Sequence, residues 1–331
     1  MIKLLDFHQD PPRNYGKSRV SKFLYYIVMI GCGGNGGYAV QRITKMLYAF
    51  NNVRSFLMLA DPDTVEEKNL LRQPFIPSDI GKKKSDVLAK RYGSTYGLKI
   101  GSFSEAYIES VEQLESLFSH TDYLHTDGMF IQKVLIGAVD NDFSRKIMND
   151  YFEKTDDLIY IDAGIEGVYL PESGQKPEEQ WTEEETLEHL DSGYSGQVVV
   201  GVKKKGMVVL PPLNGVYPID AKKDAIPPSH SCGVEPYQPQ RMIANEMAAF
   251  QITTVMNELF AANSILVHVL NFNSKTGNSR PTYVEEVLLR PASSVGESDA
   301  SAPAPDPADE HEETENEELA EDTADAVLVG Q

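Results

Sequence analysis

The chain has 331 residues, with 30 Lys and Arg against 50 Asp and Glu and a formal net charge of −20. That length allows one sizeable α/β core with an elaborated second lobe. The acidic balance excludes nucleic acid and anionic membrane as expected partners, since either would need a basic surface.

The N-terminal stretch MIKLLDFHQDPP has no sustained apolar core and no later run approaches a membrane span, which predicts a cytoplasmic protein without a signal peptide. Residues 23–30 are an apolar run of the kind buried strands carry, and 34–50 has helical character. Strands are expected at 56–60, 98–103, 133–139 and 158–161, and helices at 85–96, 111–118 and 143–152. This alternation predicts an α/β, Rossmann-like, mostly parallel sheet with flanking helices. The polar segment 172–194 reads as an exposed acidic insertion, in which the single Trp181 serves either to anchor the loop or to touch a partner. Residues 198–202 and 207–210 flank KKKG as a hairpin. An irregular crossover loop is expected over 211–237, where five prolines fall within 211–231. Residues 240–260 are helical, with Ile243, Met247, Phe250, Ile252, Val255, Met256 and Leu259 expected on one broad stripe that faces the core or a homodimer partner. A strand pair at 264–272 and 282–289 closes the domain, expected to span 1–290. The remainder, 291–331, holds no Lys or Arg and almost no apolar residue before its end, so a disordered acidic tail is expected.

Chemistry concentrates at four places. Gly31, Gly33, Gly34 and Gly36 in GCGGNG follow the first strand and supply a dinucleotide-type turn whose helix would aim free N–H groups at a phosphate. Asp61 ends the second strand, where it can accept from ribose hydroxyls, and Asp63 follows. To this point NAD and ATP are equally compatible. Asn69, Arg72 and Gln73, then Lys82 and Lys84, then Asp140, Asn141 and Arg145 favour ATP, because displacement at an α-phosphate needs cations on the oxygens and a ligand for metal. An NAD-binding oxidoreductase requires these residues to be incidental. Each also has a plain structural role open to it. Arg72 can pair with Asp61 or Asp63, the lysines can be a solvated helix start, Asp140 can cap a helix, and Gln73 and Arg145 can brace the loop.

In order and spacing, the GxGGxG turn, D-x-D-x-V-x-x-x-N-L-x-R-Q, D-I-G-x-x-K and D-N-x-x-x-R resemble the ThiF/MoeB/HesA family of ubiquitin-activating-enzyme-like adenylating proteins. IDAGIEG, GQVVV and SCGVEPYQPQRMIANEMAAF extend the resemblance over roughly residues 20 to 290. The chain departs from members that carry zinc on two C-x-x-C pairs. It has only Cys32 and Cys232, so no structural zinc is expected.

The resemblance implies ATP- and Mg-dependent adenylation of the C-terminal carboxylate of a ubiquitin-like or sulfur-carrier protein by a homodimer. It assigns Asp61 to the ribose, Asn69 and Arg72 to phosphates, Lys84 to the oxygens that gain charge, and Asp140 to Mg²⁺. Arg13 or Arg19 would act across the dimer. Cys232 is either a covalent acceptor, with His230 or Arg241 lowering its pKa, or a passive residue. Cys32 is read as tolerated rather than reactive. Adenylation of a small-molecule, peptide or RNA-linked carboxylate is the alternative within the same fold.

Overall fold

A strand covered on both faces carries apolar side chains at every position, and β2 (Phe23–Ile30) does so. Tyr25, Ile27 and Met29 enter one core, whereas Leu24, Tyr26, Val28 and Ile30 enter the other. The computed structural model describes residues 5–6, 23–50, 53–119, 130–219, 227, 229 and 239–289. Five strands run parallel in the order β4 (Ile100–Phe103), β3 (Arg54–Ala60), β2, β5 (Phe130–Gly137) and β6 (Leu158–Ile165). β7 (Ser195–Lys204), β10 (Val267–Asn273) and β11 (Asn278–Tyr283) continue the sheet antiparallel, and β8 (Met207–Leu210) folds back on β7 to make nine strands. The short strands β1 (Leu5–Asp6) and β9 (Ser264–Ile265) pair separately.

Helices α1 (Gly34–Ala49), α2 (Lys84–Tyr96) and α7 (Met242–Ala262) cover one face, while α3 (Val111–Leu117) and α4 (Asp142–Lys154) cover the other. The fold is therefore α/β and Rossmann-like. From β2 the chain runs outward through α1 to β3 and β4, then returns past β2 to β5. Open α/β sheets bind ligands outside the carboxyl ends of strands at such a reversal, and the four motifs all lie there.

Within the insertion, α5 (Glu183–Asp191) is anchored by Trp181, whose Nε1 donates to the Lys176 carbonyl at 3.0 Å and whose ring lies 4.9 Å from that of His189. In the crossover, residues 211–219 with the single turn α6 (Leu213–Val216) and the isolated positions 227 and 229 are described. Cys232 and the tail lie outside the described residues.

Two expectations need correction. The segment 282–289 is mostly helix α8 (Val284–Leu288), entered where the Glu286 carboxylate accepts from the Tyr283 amide at 3.0 Å. The seven apolar residues of α7 do not share a stripe. At about 100° per residue, Ile252, Val255, Met256 and Leu259 fall on one face and Ile243, Met247 and Phe250 on the opposite one. The first set is buried in the core, and Ile243 and Phe250 are exposed at 48% and 56%.

Candidate active site

The glycine turn exists because two backbone segments approach more closely than a side chain permits. Gly31 has φ +91°, and a Cβ there would lie 2.6 Å from the Ala138 carbonyl oxygen. At Gly36 a Cβ would stand 2.0 Å from the Gly31 carbonyl oxygen. The turn delivers α1 with Gly33 as its N-cap and no side-chain cap. Its first-turn N–H groups therefore remain a site for an anion.

Asp61 holds this turn rather than simply facing it. Its Oδ2 accepts from the Cys32 amide at 2.7 Å and its Oδ1 from the Asp63 amide at 2.9 Å. Burial raises its pKa to about 6, with nearby Asp63 adding to the shift and Lys84 and the two amides opposing it. Cys32 is fully buried, and burial pushes its thiol well above the ordinary range. That agrees with a tolerated rather than reactive residue.

Asp63 and Lys84 meet because their loops are laced together. The Thr64 and Lys83 positions form an isolated bridge, the Lys84 amide donates to the Asp63 carbonyl at 2.9 Å, and Ser85 Oγ donates to the Asp61 carbonyl at 2.7 Å. Lys84 Nζ then donates to Asp63 Oδ2 at 2.8 Å, and Tyr107 donates its hydroxyl to the other Asp63 oxygen. Burial works against the Lys84 ammonium, yet Asp61, Asp63 and Asp140 outweigh it and keep it protonated above the usual lysine range. Asp63 is opposed by burial in the same way and is held below the carboxylate range mainly by Lys84. Lys82 and Lys83 are exposed and bond the carbonyls of Ser78 and Pro62. Only Lys84 of the three is aimed inward.

The remaining predicted residues divide. Asn69 is buried, its Oδ1 accepts from the Glu66 amide at 2.9 Å, and its carbonyl takes the amides of Arg72 and Gln73. It therefore shapes the turn that presents them. Gln73 packs against Gly33, with its Nε2 3.6 Å from where a Cβ would stand, and its buried Oε1 has no partner among the described residues. Arg72 pairs with neither Asp61 nor Asp63. Its Nη1 donates to Gln240 Oε1 at 2.5 Å.

Asp140 is exposed beyond the end of β5 and does not cap a helix. The N-cap of α4 is Asn141, whose Oδ1 accepts from Ser144 at 2.8 Å. Arg145 braces the loop through the Val139 carbonyl at 3.0 Å and ion pairs with Asp162 and Asp142 at 3.3 and 3.4 Å. Arg241, one of the two residues expected to act on Cys232, bonds the Ser192 and His189 carbonyls at the end of α5, both at 2.7 Å, with its guanidinium over the Tyr194 ring, and Cys232 itself lies outside the described residues.

Sequence reasoning missed Gln240, Asn245 and Tyr107. Asn245 alone left a signal, as a polar residue within a strongly apolar helix.

Residues 16–285 match the ThiF family. The chain belongs to the ThiF family. In three dimensions this ThiF-family chain is similar to E. coli MccB with succinimide, at 16% identity and a TM-score of 0.50, covering 78% of this chain and 63% of that one. MccB with ATP aligns at 16% and 0.48, again over 78% and 63% of the two chains, and PaaA at 14% and 0.48 over 78% and 64%. The chain thus spans less than two thirds of the length of these structures. None of the curated proteins compared with it is significantly similar in sequence.

Asp61 yields a pH prediction. Its folded pKa of about 6 lies above the ordinary 3.8, so the stability it lends is complete below the ordinary value and is lost as pH rises through about 6. Acidification through pH 6 should not melt the domain through this group. It should weaken binding of a nucleotide whose ribose hydroxyls need an ionised acceptor, because a protonated carboxyl accepts poorly on its hydroxyl oxygen. Calorimetric Mg-ATP titrations on either side of pH 6 check this, and an affinity flat across that range would contradict it.

Proposed function

We propose that this protein is an ATP- and Mg-dependent adenylating enzyme that acts on the C-terminal carboxylate of a ubiquitin-like or sulfur-carrier protein. The observation that carries the reading is the convergence, at the carboxyl ends of β2 and β3, of an uncapped helix N-terminus with inward-aimed Lys84, and with Arg72 held by a neutral amide. A hydride-transfer site has no need of this concentration of phosphate-directed charge. In-line displacement does, since a carboxylate oxygen must attack the α-phosphorus while the bond to pyrophosphate breaks and charge moves onto the leaving oxygens.

In this reading the α1 N-terminus and Gln73 flank the phosphates, and Lys84 and Arg72 stabilise the oxygens that gain charge. Asp61 fixes the turn and offers its remaining lone pairs to the ribose. No group of three or more His, Cys, Asp or Glu suited to a metal forms among the described residues. Magnesium that arrives with a nucleotide needs only one or two carboxylates, the rest of its octahedron being phosphate oxygens and water. Exposed Asp140, within electrostatic range of Lys84, fits that role. The metal would supply charge neutralisation on the phosphates.

Asp140→Asn keeps the shape and loses the charge, so the magnesium midpoint of carrier-dependent pyrophosphate release should move to higher concentration with folding intact. An unchanged midpoint would remove Asp140 from the metal site. Cys232 belongs to the proposal as acceptor of the activated carrier. Cys232→Ser should leave adenylation intact and abolish a thiol-sensitive adduct on non-reducing gels, and an adduct that persists in the serine protein would exclude Cys232.

No helix among the described residues is long and apolar enough to cross a membrane, and we place the enzyme in the cytoplasm, where ATP is abundant. The exposed face of α7 with Ile243 and Phe250 is the proposed homodimer contact; Arg13 and Arg19, the residues proposed to reach across it, lie outside the described residues. Sedimentation at working concentration tests the dimer, and a monomer there would reject it.

A further inference from the structure

One polar chain connects the nucleotide turn to the start of α7, and its two middle members, Gln240 and Asn245, belong to none of the four motifs. Asn245 is fully buried on α7 and packs so closely on the first turn of α1 that a Cβ at Gly34 would fall 2.4 Å from its amide carbon. Its Nδ2 donates to Asn35 Oδ1 at 2.8 Å and to Gln240 Oε1 at 3.3 Å, while its own Oδ1 is buried without a partner among the described residues. Gln240 Oε1 in turn accepts from Arg72 Nη1 at 2.5 Å.

The oxygen that holds Arg72 is therefore itself fixed to the helix whose N-terminus would receive the phosphates. It is also neutral. A guanidinium bound to a carboxylate gains an ion pair and a bidentate grip that a single amide oxygen does not offer, and a phosphate would have to displace that stronger partner. An amide sets the position of Arg72 and gives way to an anion.

We propose that Gln240 is a positioning residue for the adenylation reaction: anchored through Asn245 to the glycine turn, it holds Arg72 beside the phosphate site and is exchanged for a phosphate oxygen when ATP binds. This rests on the adenylation reading and adds a residue to it. It also accounts for the side-chain chemistry at position 240, where the fold needs only a side chain of that length and the exchange needs an uncharged acceptor.

The test is calorimetric binding of Mg-ATP and of adenosine to the full chain as wild type, Gln240→Glu and Gln240→Met, each also in an Arg72→Ala background. Both substitutions preserve side-chain length, and melting temperatures should stay close to wild type. A glutamate that captures Arg72 should weaken Mg-ATP by about tenfold, since an ion pair must then be broken to free the guanidinium. Methionine, which releases Arg72, should weaken it less than glutamate does. Adenosine affinity should not move in either variant. In the Arg72→Ala background the glutamate effect should vanish.

Equal effects of glutamate and methionine, or a glutamate effect that survives without Arg72, would overturn the positioning role while leaving the adenylation reading in place. A wild-type protein that binds adenosine as well as Mg-ATP would overturn both.

Discussion

Arg72→Ala is expected to lower pyrophosphate exchange into ATP by about two orders of magnitude, the usual cost of losing one group that stabilises charge in a transition state. The structural cost should be small. Arg72 is only partly buried and its partner is the neutral Gln240, itself partly exposed, so no buried charge is stranded by the change. Arg72→Lys should recover little, because an ammonium keeps the charge but lacks the planar fork that grips two oxygens at once. Measured with saturating carrier, the loss should appear in the rate of exchange with the melting temperature held. Unchanged exchange in the alanine protein would reduce Arg72 to a strut between its loop and α7.

Two glycines five and two residues into the same turn should fail in opposite ways. At Gly36 an added methyl meets the Gly31 carbonyl oxygen at 2.0 Å and its carbon at 2.9 Å, and backbone cannot step aside as a side-chain tip can. Gly36→Ala should therefore cost about 3 kcal/mol or more of stability and lower the melting temperature by about 6 °C or more. At Gly33 the nearest atoms are those of Gln73, at 3.6 and 3.9 Å, which is ordinary contact. No neighbouring side chain or strand thus crowds a methyl at that position. In the proposed reading the demand comes from the ligand, since the second glycine of such a turn is where a pyrophosphate approaches the backbone. Gly33→Ala should fold and lose Mg-ATP affinity by about tenfold or more, equal to about 1.4 kcal/mol. A Gly33→Ala protein that binds Mg-ATP normally would move the phosphates elsewhere.

Much of this site was legible because its parts are local. The apolar run of β2 ends in glycines, and the loops after Asp61 and before Lys84 carry a spacing that the lacing of Thr64 to Lys83 explains. What could not be read lies across long separations. Gln240 meets Arg72 at 168 residues and Asn245 meets Asn35 at 210, distances at which no periodicity reports a contact. The α7 stripe failed for a different reason. The helix is apolar nearly all round, so composition marked it as buried without saying which face was, and two opposite rows read as one. The bonds of Arg241 to the carbonyl end of α5 join residues 49 and 52 positions apart, another contact that no local pattern announces. The 282–289 segment, TYVEEVLL, is too short for its pattern to separate strand from helix, and the Glu286 cap decided it.

The central claim is that the phosphate-directed charges serve attack by a protein carboxylate. Its most direct test is the incorporation of radiolabelled pyrophosphate into ATP by the full chain, with magnesium, in the presence and absence of small ubiquitin-like proteins ending in Gly-Gly. The account predicts exchange that appears only with such a protein and disappears when its terminal carboxylate is amidated. Exchange that is indifferent to the amidation, or its absence with every such protein while the chain binds a nicotinamide dinucleotide, would contradict it.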